Sequence, residues 1–129
     1  MSLAGQTTSQ MGFYLTRDLM FSSRVTAAAA SQNLPLSVVD SVERLKEKSA
    51  GKAIGLVFID LELVADNVNA SIAQVRQAAK GATLVAYAGH VKESLFKQAV
   101  AAEVDIVLTR GQFNQRCAEL LKNYLAGSS

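Results

Sequence analysis

Asp60 ends the apolar run Gly55-Leu56-Val57-Phe58-Ile59 and opens the segment that leads to the next helical pattern. A buried strand that delivers a carboxylate at its carboxyl end places that charge where open parallel sheets bind ligands and do chemistry. To act as a nucleophile or a metal ligand there, the carboxylate needs cations or further acids beside it. The segments able to supply them are Arg17-Asp18, Asp60-Leu61-Glu62, Ala88-Gly89-His90 and Thr109-Arg110-Gly111-Gln112.

The elements that must bring these segments together are legible as alternating patterns. Runs suited to strands occur at Phe13-Tyr14-Leu15, Leu36 to Val39, Ile54 to Ile59, Thr83 to Tyr87, and Asp105 to Leu108. Between them, Val68, Ile72, Val75 and Ala79 share one face of a predicted helix that Gly81 terminates, and Phe113, Cys117, Leu120 and Tyr124 mark another. Phe21, Val25 and Ala28 give the stripe of the first helix, and Val91, Leu95, Ala99 and Ala102 that of the fourth. Asp40 and Glu43 are expected to box the start of the second, while Asp66 and Glu62 are expected at the start of the third. Strand-then-helix units of about 20 to 25 residues have the size of right-handed parallel crossovers. They predict a three-layer α/β sandwich, and in a sheet of order 2-1-3-4-5 the ends of strands one, three, four and five converge on one crevice.

Composition sets the outer bounds. A chain of 129 residues, 50% apolar and with a single proline, makes one buried domain. It is expected over residues 11–126, with tails at 1–10 and 127–129. Thirteen basic and 11 acidic residues give a net charge of +2 without a dense basic cluster, which argues against direct nucleic-acid binding. Cys117 is the only cysteine, so neither an internal disulfide nor a multi-cysteine metal site is available. No run approaches the ~20 apolar residues of a membrane span, and a cytoplasmic location is expected. No glycine triplet follows the first strand and no Walker-type lysine is present, which removes support for dinucleotide or nucleoside-triphosphate binding. His90 reads as a surface histidine, and Cys117 as a core residue.

With its strand-end Asp60, the flanking Arg17-Asp18 and Arg110 in the loop after the fifth strand, the chain resembles the receiver domain of bacterial two-component response regulators, from Gly12 to Leu125. The resemblance implies a flavodoxin-like (βα)5 sandwich with a five-stranded parallel sheet of order 2-1-3-4-5. It implies a phosphoacceptor role for Asp60 and a phosphate-contacting role for Arg110, in place of the family's lysine. It further implies magnesium held by Asp18, Asp60 and the backbone carbonyl of Glu62.

Several positions depart from the family. Arg17 takes the place of an acidic residue, Ala88 of the switch Ser or Thr, and Val107 of the partner aromatic. Arg17 is expected to form a salt bridge with Asp60 or Asp18, and without the hydroxyl and the aromatic the usual switch is not expected to operate. The expected function is therefore a receiver-like signalling domain that acts mainly by binding protein, with phosphorylation at Asp60 weak, altered or absent. A histidine kinase, a phosphotransfer protein or an output domain is the expected partner, with a homodimer contact through helix 4, strand 5 and helix 5. The alternatives are a working magnesium-dependent aspartyl phosphoacceptor, catalytic only in its own phosphorylation and hydrolysis, and a flavodoxin-like small-molecule binder.

Overall fold

The computed structural model describes residues 10–125; the tails expected at 1–10 and 127–129 lie outside them apart from residue 10, as does residue 126 of the expected domain. Five strands alternate with five helices: β1 Met11–Leu15, α1 Leu19–Ser31, β2 Leu36–Val39, α2 Val42–Ser49, β3 Ile54–Asp60, α3 Val68–Ala78, β4 Thr83–Ala88, α4 Glu93–Ala101, β5 Ile106–Thr109 and α5 Arg110–Leu125. All strand pairings are parallel, and the sheet order is β2-β1-β3-β4-β5. This is the order that the receiver resemblance implies.

The central strand β3 is buried along its whole length, as a sheet covered by helices on both faces requires. Period-two alternation sorts its side chains: Val57 and Ile59 join the core under α2, α3 and α4, whereas Leu56 and Phe58 join the core under α1 and α5. Tyr14 of β1 and Tyr87 of β4 fall on that second face, where Phe113 stacks on Tyr87 at 4.3 Å between ring centroids and meets Phe58 edge-on at 4.8 Å. Gly55 is needed for close packing, since a Cβ there would lie 2.8 Å from the Tyr124 carbonyl oxygen of α5.

Helix ends show where local chemistry differs from the sequence expectation. Ser41, not Asp40, caps α2 by accepting from the Arg44 amide at 3.0 Å, and Asn67, not Asp66 or Glu62, caps α3 through the Ala70 amide at 3.1 Å. In each case the short polar side chain directly adjoining the first helical residue has the reach for the third amide, and the acid farther upstream does not. Gly81 follows α3 with φ of +83°, a conformation that favours glycine. Val91 precedes α4 and is 72% exposed, so the apolar stripe of that helix rests on Leu95 and Ala99. Arg110 and Gly111 belong to the first turn of α5 and not to a loop: Thr109 and Gln112 exchange side-chain to backbone hydrogen bonds at 2.9 and 3.1 Å, a reciprocal cap that starts the helix immediately after β5.

Candidate functional site around Asp60

Asp60 is the final residue of β3, pairs in register with Tyr87 of β4, and is 6% exposed. Its Oδ2 accepts a hydrogen bond from the Thr16 hydroxyl at 2.9 Å, and its Oδ1 accepts from the Glu62 amide at 3.1 Å. Burial is the largest influence on the carboxyl and raises its pKa above the ordinary value; the Thr16 hydroxyl, the Glu62 amide and the Arg110 charge oppose the rise, while the Glu62 carboxylate adds to it. The result is a desolvated acid stabilised by two dipoles.

Thr16 was not singled out by sequence reasoning, although a signal existed. It stands two residues beyond Tyr14, so strand alternation continued past Leu15 puts both on one face. Its hydroxyl also accepts from the Asp18 amide at 3.0 Å, which folds the β1–α1 turn over the carboxylate. Asp18 is thereby placed as the N-cap of α1: its Oδ1 accepts from the Phe21 amide at 2.9 Å. A carboxylate suits that position because it meets unpaired amides and the positive end of the helix.

Arg17 is exposed and leaves this cluster. Among the described residues it forms no salt bridge, so the expected pairing with Asp60 or Asp18 is not made. It borders two surface clefts shared with Asp40 instead, one toward α2 and the other toward the start of α3. A desolvated Asp60 already paired with neutral donors does not draw a flexible guanidinium out of water.

Arg110 lies on the opposite side of the site. Its guanidinium pairs with Glu62 at 3.3 Å and sits over the Phe21 ring at 5.9 Å. Both members of the ion pair are nearly half exposed, so its contribution to stability is small. Its consequence is positional, because the cation next to Asp60 is held by a neighbouring acid. Ala88 is fully buried at the end of β4 and contributes only a methyl group, and Val107 is half-buried in β5. His90 is exposed at the rim of a cleft shared with Phe21, Val91 and Arg110. Cys117 is buried, and burial raises its thiol pKa, consistent with a core side chain.

Under the carboxylate lies a second feature that the sequence reading missed. The Tyr14 and Tyr87 hydroxyls are 2.5 Å apart in a buried hydrogen bond, with both rings fully buried. Burial raises the pKa of both phenols; the Asp60 charge adds to the rise and the Thr16 hydroxyl opposes it. Hydroxyls of Thr16, Tyr14 and Tyr87 therefore gather beside the carboxylate.

The magnesium set implied by the resemblance can be tested against these donors. Magnesium requires near-octahedral oxygen coordination with one or two carboxylates directed at it. Asp60 faces a threonine hydroxyl on its β1 side, the Oδ1 of Asp18 is engaged at the helix start, and the Glu62 side chain is turned to Arg110. Among the described residues no group of His, Cys, Asp and Glu is assembled for a metal ion. As arranged, the Asp60 carboxylate serves the Thr16 hydroxyl and one Asp18 oxygen serves the helix start.

No family model matches the chain, and no curated protein matches it. Solved structures do. A response regulator from Hahella chejuensis superposes with a TM-score of 0.75 at 17% identity, covering 91% of this chain and 96% of that one. A CheY-like protein (tadZ) from Pseudomonas aeruginosa PAO1 gives 0.68 at 21% identity over 89% and 98%. The receiver domain of a Saccharomyces cerevisiae response regulator, solved with its histidine phosphotransfer signaling protein, gives 0.70 at 8% identity over 92% and 91%. Identities at this level speak to architecture. Strand order, helix placement and near-complete coverage agree, and the fold of this chain is that of the response regulator receiver domains.

Proposed function

We propose that this domain serves two-component signalling as a protein-interaction module of the receiver fold, with phosphorylation at Asp60 weak, altered or absent. The observation that carries this reading is the Thr16 hydroxyl on Asp60 Oδ2. Phosphoryl transfer to a carboxylate brings two anions together and needs fixed positive charge where the equatorial oxygens gather. Here a neutral donor occupies one side, and the nearby guanidinium is already paired with Glu62. Ala88 has no hydroxyl with which to report a phosphoryl group, and Val107 no ring with which to relay it.

The second reading, a magnesium-dependent phosphoacceptor using Asp60, Asp18 and Arg110, draws support from a strand-end carboxylate whose pKa is raised by burial and which feels the Arg110 charge. The yeast receiver domain crystallised with a histidine phosphotransfer signaling protein supports a phosphotransfer protein as the class of partner. Homodimerisation through α4, β5 and α5 would use the exposed Val100 of α4.

Capture of partners from the native cell by photo-crosslinking tests the leading reading, using the wild-type domain and Asp60→Asn, each with and without acetyl phosphate. The module recovers the same partner in all conditions. Capture that requires acetyl phosphate and vanishes in Asp60→Asn favours the phosphoacceptor.

A further inference from the structure

Arg17, displaced from the carboxylate site, joins Arg44 and Lys48 around a cleft of about 350 Å³ between the β1–α1 turn, the edge strand β2 and helix α2. Arg44 and Lys48 are four residues apart and so lie on one face of α2. Only one acid, Asp40, lines the cleft with them, and among the described residues none of the three cations takes part in a salt bridge. The rest of the lining is largely apolar: Val38, Val39 and Leu19, the last 79% exposed. Met20 beside it is 86% exposed. An exposed apolar side chain beside cations that make no salt bridge among the described residues gives the cleft both an apolar and a charged wall.

We propose that this cleft docks an acidic segment of a partner protein, with carboxylates on Arg17, Arg44 and Lys48 and an apolar side chain packed on Leu19, Val38 and Val39. Charge complementarity selects this occupant. Guanidinium groups donate to carboxylates two oxygens at a time, and Leu19 with Val38 and Val39 gives an apolar anchor that a free anion could not use. The inference rests on reading the domain as an interaction module and names the surface it uses. It also explains why Arg17 can be a cation without balancing Asp60.

The test is fluorescence anisotropy with a labelled peptide of alternating Glu and Leu, run beside its Glu→Gln counterpart, on the whole chain. The acidic peptide binds and the Gln peptide does not. Arg44→Glu and Lys48→Glu each weaken binding by about tenfold, as does Leu19→Ser, and added salt weakens it further. Circular dichroism checks that these exposed-site variants keep the wild-type fold. Acidic-peptide binding that none of the three substitutions changes overturns the cleft while leaving an interaction module standing. Binding to anionic lipid vesicles in place of the peptide also overturns it, as does equal binding of the Gln peptide. Failure of the interaction reading itself has a separate signature, partner capture that depends on phosphorylation at Asp60.

Discussion

The Thr16 hydroxyl donates to Asp60 Oδ2 at 2.9 Å, so the buried carboxylate of this receiver fold is held by a neutral side chain from the end of β1. The same oxygen of Thr16 accepts from the Asp18 amide, tying the carboxylate to the turn that starts α1. Removing the hydroxyl at constant shape leaves one carboxylate oxygen and one turn amide without that partner. Thr16→Val is expected to destabilise the fold by about 1–3 kcal/mol, measured by urea unfolding at neutral pH. A change within about 0.5 kcal/mol, the range of an ordinary surface substitution, contradicts the role given to Thr16.

The sign of the Asp60 shift dictates a pH dependence. The folded carboxyl titrates above its ordinary value of 3.8, so the folded chain holds that proton more tightly than the unfolded chain does. The stability gained from protonated Asp60 is fully present below the unfolded pKa and is lost as pH rises through the folded one. Ionised Asp60 is therefore a net liability at neutral pH. Asp60→Asn is expected to raise the melting temperature at pH 7, with the difference shrinking as the pH falls toward 3.8. Thermal melts of both proteins across that range check it, and a less stable Asn variant at pH 7 contradicts it.

The Tyr14–Tyr87 hydroxyl pair predicts non-additivity. Tyr14→Phe or Tyr87→Phe alone leaves the other buried hydroxyl without its partner, at about 1–3 kcal/mol. The double Phe variant removes both groups and is expected to lose less than the sum of the singles, because an apolar pair of the same shape suits the aromatic cluster with Phe58 and Phe113. A double-mutant cycle in urea measures this directly. Simple additivity shows that the two hydroxyls do not act as a unit.

A designed gain of function follows from the same geometry. Thr16→Asp places two carboxylates facing each other at the end of the sheet, a repulsive arrangement without a cation and a ligand pair for magnesium with one. The variant is expected to melt below the wild type in chelator and to recover with added magnesium, while the wild type responds little. Equal magnesium stabilisation of both proteins argues that Thr16 is not what separates this site from a metal centre.

The architecture was legible because each strand is a compact apolar run and each helix carries a three-and-four-residue stripe. Strand limits moved by a residue or two where a polar residue sits in a buried environment, as at Asp60 in β3, or where an acid serves the neighbouring strand from outside its own, as Asp105 does by accepting from the Leu84 amide of β4. Asp60 and its place in the sheet were legible for the same reason. Its partners were not. Alternation carried past Leu15 favours Thr16 over Arg17 on the Asp60 face, but β1 ends at Leu15 and only the turn geometry establishes that the pattern continues. The α5 start at Arg110 was hidden by reading Thr109-Arg110-Gly111-Gln112 as a loop, when Thr109 and Gln112 have the spacing of a reciprocal cap. Tyr14 and Tyr87 lie 73 positions apart, and only the strand order and register bring their hydroxyls into contact.

The central claim, that this receiver fold carries its carboxylate without the usual phosphoacceptor chemistry, is tested most directly by intact-mass measurement of the domain incubated with acetyl phosphate and magnesium, beside Asp60→Asn. The account predicts labelling well below one phosphoryl group per chain and an unchanged amide-exchange pattern over α4 and β5. Stoichiometric labelling that Asp60→Asn abolishes, accompanied by a large change in that pattern, contradicts it.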